Sequence, residues 1–198
     1  MPLNIPNLLT VIRLILIPVF VFSYYIPTAW ANTFAMAIFI AAAITDWLDG
    51  YLARKLNQSS AFGAFLDPVA DKLMVAAALI MLTADGRVHL QVIDSRIFVI
   101  TVIVIIGREM AISALREWMA EVGKRHRIAV TLLGKFKTIG QMVAIPFLLY
   151  QHPLGNIPVF RIGEIILYVA AALTLWSLIF YLRIAWPELA RSAQEQRG

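Results

Sequence analysis

TDWLDGYLARKLNQSSAFGAFLDPVADK, residues 45–72, carries four of the twelve acidic residues of the chain in a regular pattern. Asp46 and Asp49 are three residues apart, and Asp67 and Asp71 are four apart, so each pair lies on one face of a helix. A short polar turn, NQSS, separates the two pairs. The stretch therefore predicts two antiparallel helices that pack together and bring two pairs of carboxylates close to each other.

Long apolar runs extend from this stretch in both directions. The chain of 198 residues is 61% hydrophobic and only 15% charged, whereas a soluble domain carries about 25% charged residues. Runs of this length suit helices that cross a bilayer, where the backbone must satisfy its own hydrogen bonds. We therefore predict an all-α fold, a bundle of six transmembrane helices in one integral membrane domain, residues 1–198, with spans at about 8–27, 33–53, 62–84, 96–118, 130–150 and 161–183.

The Lys and Arg residues predict how the bundle is oriented. One side receives only Arg87, Arg96 and Arg161. The other side receives a large excess, namely Arg54, Lys55, Lys124, Arg125, Arg127, Lys135, Lys137, Arg183, Arg191 and Arg197. Because cytoplasmic loops carry the excess of Lys and Arg, we expect the second side and both termini to be cytoplasmic.

The composition argues against several other classes of protein. The net charge is +5, but the aromatic residues lie inside apolar runs, so we expect no nucleic-acid partner. The chain has no cysteine, which excludes disulfides and thiolate chemistry. An aspartate-rich membrane prenyltransferase would place its two acidic motifs far apart. A cation transporter would hold its acids near the middle of the membrane, on broken helices, and here they lie near the predicted cytoplasmic interface.

Four carboxylates at the edge of a membrane need a compensating charge. Each costs at least a few kcal/mol when buried in a bilayer, and neighbours repel one another. A divalent cation offsets both effects, and carboxylates suit Mg²⁺ or Mn²⁺. The alternative, that these acids are helix caps or loop residues, does not account for the helical spacing of both pairs. Gly50 and Ala53 continue the face of Asp46, and Gly63 precedes Asp67 by one turn, which leaves room for a ligand.

A polar stripe begins the first span. Asn7, Thr10 and Arg13 recur every three residues on an otherwise apolar helix. These side chains either face a ligand, or Asn7 caps the helix and Arg13 extends to the interface.

A second group of polar residues is cationic. Arg108 lies too deep in the fourth span to reach the interface easily, so we expect it to face a polar cavity. Glu109 is expected to point to a different face of the helix. Arg binds phosphate through two parallel hydrogen bonds, so the group predicts a small phosphorylated substrate. Its members are Arg108, Arg116, Lys135, Lys137 and Thr138.

Residues 46–71 fit the pattern D-x-x-D-G-x-x-A-R-x8-G-x-x-x-D-x-x-x-D, through Asp46, Asp49, Gly50, Ala53, Arg54, Gly63, Asp67 and Asp71. This resembles the signature of the CDP-alcohol phosphotransferases, with every specified position matched. The resemblance covers nearly the whole chain. NIPNLLTVIR at 4–13, REMAISALREWMAE at 108–121 and GKFKT at 134–138 look like the branch of that family whose acceptor is a glycerol phosphate.

The resemblance implies a six-helix enzyme of the bacterial cytoplasmic (inner) membrane, usually a homodimer, with a cavity open to the cytoplasm and to membrane lipid. It implies two Mg²⁺ ions, with Mn²⁺ able to substitute, held by the four aspartates. Asp71 would be both a ligand and the general base. The substrates would be CDP-diacylglycerol and sn-glycerol 3-phosphate, and the products phosphatidylglycerophosphate and CMP. A sibling enzyme would use another alcohol, such as inositol phosphate or phosphatidylglycerol.

The resemblance also distributes the two substrates over the predicted residues. CDP-diacylglycerol would contact the first-span stripe and the small residues of the motif, that is Asn7, Thr10, Arg13, Gly50, Ala53, Arg54 and Gly63. Glycerol 3-phosphate would contact the cationic group, that is Arg108, Arg116, Lys135, Lys137 and Thr138. The sequence therefore predicts one active site with an acidic half and a basic half.

Overall fold

A computed structural model of the chain describes residues 5–56, 61–122 and 132–195. These residues form seven α-helices and no β-strand, so the predicted all-α fold is confirmed. In chain order the helices are α1 (Ile5–Tyr25), α2 (Ala31–Leu56), α3 (Ala61–Ala84), α4 (Gly86–Gln91), α5 (Ser95–Glu121), α6 (Leu132–Tyr150) and α7 (Val159–Glu195).

All helices but α4 correspond to the predicted segments. Helix α4 is too short to show a periodic apolar face in the sequence, and Asp85 begins it by accepting a hydrogen bond from the backbone N–H of Arg87. Helix α7 continues to Glu195, beyond the predicted end at 183. The predicted turn at 57–60 lies outside the residues that the structure describes.

Four of the described helices are long and apolar enough to cross a membrane. They contribute the stretches Asn7–Tyr25, Ala31–Leu52, Ser95–Glu121 and Val159–Pro187. The other two predicted spans fall on α3 and α6, which carry charged residues in their first halves, such as Asp71 and Lys137. Large apolar side chains, including Phe22 and Trp176, are exposed on the outer surface. A surface of this kind is suited to lipid rather than water, and the chain is therefore a membrane protein.

The packing around the aspartates depends on α1. This helix packs against both α2 and α3, whereas α2 and α3 touch each other only slightly. Elsewhere α6 packs against α7 and α2, and α5 packs against α7 and α3. Helices α2 and α3 thus contact each other directly, but less than each of them contacts α1. Polar side chains of α1 bind acids on both helices and hold α1 against each of them.

The apolar core joins the helices below the aspartates. Phe20, Phe39, Leu82, Phe98 and Leu148 belong to one cluster, and its members come from all seven described helices. Helices α6 and α7 approach each other closely at a glycine of α7. A Cβ atom added there, at position 163, would lie 2.7 Å from the Cβ of a phenylalanine in α6. Only glycine fits at this contact without moving one of the helices.

A polar network around Asp85 fixes the end of α1 that is remote from the aspartate motif. Asp85 Oδ2 accepts hydrogen bonds from the Tyr24 hydroxyl at 2.7 Å and from Gln151 Nε2 at 3.0 Å, and it pairs with Arg87 at 2.8 Å. Burial acts to raise the pKa of Asp85, but the hydrogen bonds from Arg87, Tyr24 and Gln151 outweigh it and hold that pKa well below its usual range. The network connects α1 to the segments that follow α3 and α6.

Candidate active site

The polar stripe of α1 faces the aspartates. Thr10 Oγ1 donates a hydrogen bond to Asp67 Oδ1 at 2.5 Å. Arg13 Nη1 donates to Asp46 Oδ1 at 2.6 Å, and its Nη2 pairs with Asp49 Oδ2. Arg13 is only 1% exposed, so it does not extend to the interface. The stripe therefore belongs to the same site as the carboxylates, and α1 holds one pair on α2 and one member of the other pair on α3.

The four aspartates come from two helices and meet around this stripe. Asp49 interacts electrostatically with Asp46 and Asp67, and Asp71 interacts with Asp46 and Arg13. The side chain of Asp49 is buried, whereas that of Asp46 is 42% exposed. The acidic group is thus enclosed on the α1 side and open on the Asp46 side, where a ligand could enter.

The donor set suits a divalent cation by its chemistry. Four carboxylates face one guanidinium, so the group keeps a negative charge that Arg13 alone does not balance, and oxygen donors are those that Mg²⁺ prefers. No three acidic or histidine side chains of the described residues are grouped closely enough to hold a metal ion as they stand. In this arrangement the Arg13 guanidinium pairs with one oxygen of Asp46 and one of Asp49. The two predicted Mg²⁺ ions remain a prediction.

The other residues predicted for the CDP-diacylglycerol end are placed only in part. Asn7 and Gly63 are buried, and Gly50 is half-buried. The side chains of Ala53 and Arg54 lie outside the part of the chain that the structure describes. Small residues thus border the acidic group on α2 and α3.

A second polar group lies on α5 and α6, and an acid stands at its centre. Glu109 Oε1 accepts a hydrogen bond from Arg108 Nη1 at 2.8 Å and also pairs with Lys137 Nζ. Arg108 Nη2 donates to Ser177 Oγ on α7 at 2.9 Å. Arg108 and Lys137 are both buried. The expectation that Glu109 points away from Arg108 is wrong, because the long side chains of adjacent residues curl back to satisfy two cations buried at membrane depth.

The remaining members of the predicted cationic group are more dispersed. Arg116 is exposed and lies over the ring of Tyr181, 5.8 Å from the ring centre, although it is near enough to Arg108 to interact electrostatically. The side chain of Lys135 lies outside the described residues. Thr138 lies at the cavity described next. Arg108 and Lys137 thus form the buried part of the group.

A cavity of about 260 Å³ reaches both Asp71 of the acidic group and Glu109, the acid that pairs with the buried cations. It lies between α3, α5 and α6. Its polar lining consists of Asp71, Lys72, Glu109, Thr138 and Gln141, and the rest of its wall is apolar. The carboxyl group predicted to be the base therefore shares one space with the acid that binds both buried cations.

A family model described as CDP-alcohol phosphatidyltransferase matches residues 3–176 of this chain. The chain belongs to the CDP-alcohol phosphatidyltransferase family. The matched range includes the acidic group, the α1 stripe and the buried cations of α5 and α6. The family that the motif predicts is therefore confirmed.

Several relatives in this family are similar to this protein over almost its full chain, and they share one name. The name is CDP-diacylglycerol–glycerol-3-phosphate 3-phosphatidyltransferase. The protein from Salmonella paratyphi A is 50% identical, over 96% of this chain and 98% of its own length. Those from Escherichia coli (strain K12) and Shigella flexneri are each 49% identical over the same shares.

Some polar contacts of the site are not predicted by the motif. Lys72 donates a hydrogen bond to Ser113, which in turn donates to the backbone carbonyl of Glu109 at 2.7 Å. Gln141, one turn after Lys137 on α6, is buried beside the same cavity. The signal that could have found Gln141 is its position, since an amide within an apolar span calls for a polar partner.

Proposed function

We propose that this chain transfers the phosphatidyl group of CDP-diacylglycerol to sn-glycerol 3-phosphate, giving phosphatidylglycerophosphate and CMP. The observation that carries this proposal is the identity of about one residue in two, over nearly the whole chain, with relatives that bear the name of that enzyme. The acidic motif and the buried cations are both present here. A fold alone would not identify an activity, but relatives of this length and identity do.

The two halves of the site suit the two substrates of this reaction. The β-phosphorus of CDP-diacylglycerol is attacked by an oxygen of the acceptor alcohol, the new P–O bond forms, and the bond to the α-phosphate breaks so that CMP leaves. In this reaction Asp71 accepts the proton of the 1-hydroxyl of glycerol 3-phosphate. The proposal is supported by the position of Asp71 in the cavity that also reaches Glu109.

The acidic half holds the nucleotide substrate. Asp46, Asp49, Asp67 and Asp71 would hold two Mg²⁺ ions, with Mn²⁺ able to substitute, and the metal would supply positive charge to offset that of the pyrophosphate. Arg13 shares the carboxylates with them. CDP-diacylglycerol lies against the α1 stripe and the small residues of the motif, that is Asn7, Thr10, Arg13, Gly50, Ala53, Arg54 and Gly63.

The basic half holds the phosphate of the acceptor. Arg108 and Lys137 are buried, and within the described residues Glu109 is the acid that pairs with both. A phosphate dianion is a stronger partner for two cations than a single carboxylate, and Arg can bind it through two hydrogen bonds. Arg116 and Lys135 extend this half toward the predicted cytoplasmic side, and Thr138 lines the cavity.

We further propose that the chain is a single domain over residues 1–198, with six spans, both termini and the active site at the cytoplasmic face of the bacterial inner membrane, and that it forms a homodimer in contact with membrane lipid. The excess of Lys and Arg at that face supports the orientation. A site at this face receives one substrate from the water and the other from the lipid, so it needs no path across the membrane.

The test is release of CMP by the purified protein, supplied with CDP-diacylglycerol, Mg²⁺ and a panel of alcohols. Glycerol 3-phosphate should support turnover, whereas serine, inositol phosphate and phosphatidylglycerol should not. Turnover with one of the other alcohols instead would identify a sibling enzyme. Chelation by EDTA should abolish turnover, and Mg²⁺ or Mn²⁺ should restore it. Full activity in EDTA would overturn the assignment of metal to the aspartates.

A further inference from the structure

Gln141 is a buried amide with an unused donor. The residue is 4% exposed, and its Nε2 atom has no hydrogen-bond partner among the residues that the structure describes. A buried donor that lacks a partner destabilises the folded protein, because it has lost its hydrogen bonds to water. Such groups are rare in folded proteins, and each calls for an explanation. An apolar residue of similar size would fill this position more favourably if packing were its only role.

Gln141 borders the cavity that is also lined by Asp71, the proposed general base. Gln141 and Asp71 line this cavity from α6 and α3, and Glu109 lines it from α5. The deeper wall is formed by aliphatic side chains such as Ile105 and Ile106. A small polar molecule in this space would therefore find the amide of Gln141, the carboxylate of Asp71 and the Glu109 pair around it.

The spacing along α6 indicates which atom the amide would meet. Gln141 follows Lys137 by four residues, so the two side chains lie on one face of the helix, about one turn or 5.4 Å apart. Lys137 is one of the two buried cations that pair with Glu109. A phosphate bound at Lys137 would leave the carbon chain of the acceptor beside Gln141.

We propose that Gln141 donates a hydrogen bond from Nε2 to the secondary hydroxyl of the glycerol phosphate acceptor and so selects an acceptor that carries a hydroxyl at that carbon. This inference rests on the proposed function, because it assigns a further residue to the same acceptor. In this arrangement Lys137 binds the phosphate, Gln141 binds the middle carbon's hydroxyl, and Asp71 faces the terminal hydroxyl. The three groups hold the acceptor at three points, which orients its attacking oxygen.

The decisive comparison uses an acceptor that lacks only this hydroxyl, 3-hydroxypropyl phosphate. A site built to bind a hydroxyl rejects the analogue without it, because its polar group is then left unpaired. For the wild type, kcat/KM should be about 10- to 100-fold lower with the analogue than with glycerol 3-phosphate. In Gln141→Leu the ratio should fall to about threefold or less, mainly because KM for glycerol 3-phosphate rises, and KM for CDP-diacylglycerol should change little.

Thermal stability gives a second measurement. If Gln141 had a purely structural role, its replacement would not raise the melting temperature and remove the acceptor specificity together. Gln141→Leu removes a buried unpaired amide, so its melting temperature should rise while its specificity is lost. The matched control is Thr174→Val on α7, where a fully buried hydroxyl also lacks a partner within the described residues but does not border the cavity. Thr174→Val should gain stability and keep wild-type kinetics with both acceptors.

Several outcomes would overturn the inference. A wild type that uses both acceptors equally well would do so, as would Gln141→Leu with unchanged discrimination. A rise in KM for CDP-diacylglycerol alone would assign the amide to the lipid substrate instead. If Gln141→Leu does not fold, Gln141→Asn, whose amide is one methylene shorter, should lose the discrimination. A wild type that releases no CMP with glycerol 3-phosphate would instead overturn the proposed function itself.

Discussion

The planar guanidinium of Arg13 binds two carboxylates of the neighbouring helix α2, and each of its two terminal nitrogens contacts one of them. The residue is almost fully buried, and the charge that it balances is held at membrane depth, where an unpaired carboxylate is costly. The fixed fork of the guanidinium therefore sets the distance between Asp46 and Asp49. This makes Arg13 both a binding residue for the proposed nucleotide and a positioning residue for two of the proposed metal ligands.

Lysine should not replace Arg13. A single ammonium group cannot hold two carboxylates in the geometry of a guanidinium fork. We expect Arg13→Lys to lower kcat/KM by at least about tenfold and to lower the melting temperature in detergent. Arg87→Lys is the matched control, because Arg87 is largely exposed and pairs with Asp85 at the remote end of α1. Wild-type activity in Arg13→Lys would contradict this role.

Replacement of Asp71 should lower kcat without preventing the protein from folding. A positioned general base contributes about 100- to 10,000-fold to the rate, so kcat of Asp71→Asn should fall by that order while the protein stays folded and binds CDP-diacylglycerol. Asp94→Asn serves as the control. Asp94 begins α5 by accepting hydrogen bonds from two backbone N–H groups, and asparagine is an equally good cap. Turnover that persists in Asp71→Asn would remove Asp71 from the chemistry.

The residue types of the site are predictable from the sequence, but their pairing is not. Helical spacing is enough to place Asp46 with Asp49 and Asp67 with Asp71, since the period of a helix is fixed. The contacts of Thr10 and Arg13 with those acids join residues that are more than 30 positions apart in the chain. Spacing contains no information on such contacts, so the stripe on α1 is visible in the sequence while its partners are not.

At the scale of whole helices, α1 and the contact of α6 with α7 determine the arrangement. Helices α2 and α3 contact each other less than each of them contacts α1, which supplies polar partners to both. Apolar length alone predicts the number of the long helices and most of their limits, although α7 continues to Glu195 instead of ending at 183. The sequence does not predict which helices touch, because several apolar faces of similar size compete for the same neighbours.

The tight approach of α6 to α7 predicts a site that does not tolerate a larger residue. In Gly163→Ala the added Cβ would lie 2.7 Å from the Cβ of Phe147 and 3.0 Å from the backbone oxygen of Ala144. Helices α6 and α7 would have to separate, at a cost of about 1–3 kcal/mol. Gly107→Ala on α5 is the matched control, because its Cβ would meet nothing within 4 Å.

Thermal unfolding in detergent measures the difference between these variants. The melting temperature of Gly163→Ala should fall, and that of Gly107→Ala should stay the same or rise slightly, since alanine favours a helix more than glycine does. Equal melting temperatures for the two variants would show that the contact between α6 and α7 is not as close as the structure indicates.

At the scale of the whole molecule, the acidic group and the basic pair match the charges of the two proposed substrates. One cavity is lined both by Asp71 of the acidic group and by Glu109, which pairs with the buried cations Arg108 and Lys137, so the proposed base and the partner of the proposed phosphate-binding cations face one space. The polar network around Asp85 ties down the remote end of α1. The proposed active site and this network thus lie toward opposite ends of α1.

The orientation of the bundle can be measured by cysteine labelling, because the chain contains no cysteine of its own. A membrane-impermeant maleimide should label His152→Cys in intact spheroplasts, since this residue follows α6 on the predicted outer side. It should label Leu56→Cys, at the end of α2, only in inverted vesicles. Labelling of Leu56→Cys from the outside, or of both variants from the same side, would contradict the six-span topology with cytoplasmic termini.

The most direct test of the central claim, that the two halves of the site join these two substrates, is transfer of label from radioactive sn-glycerol 3-phosphate into chloroform-soluble lipid. The purified protein should transfer the label only when CDP-diacylglycerol and Mg²⁺ are both present, with one CMP released for each labelled lipid formed. Release of CMP without labelling of the lipid, or labelling of lipid without CDP-diacylglycerol, would contradict the account.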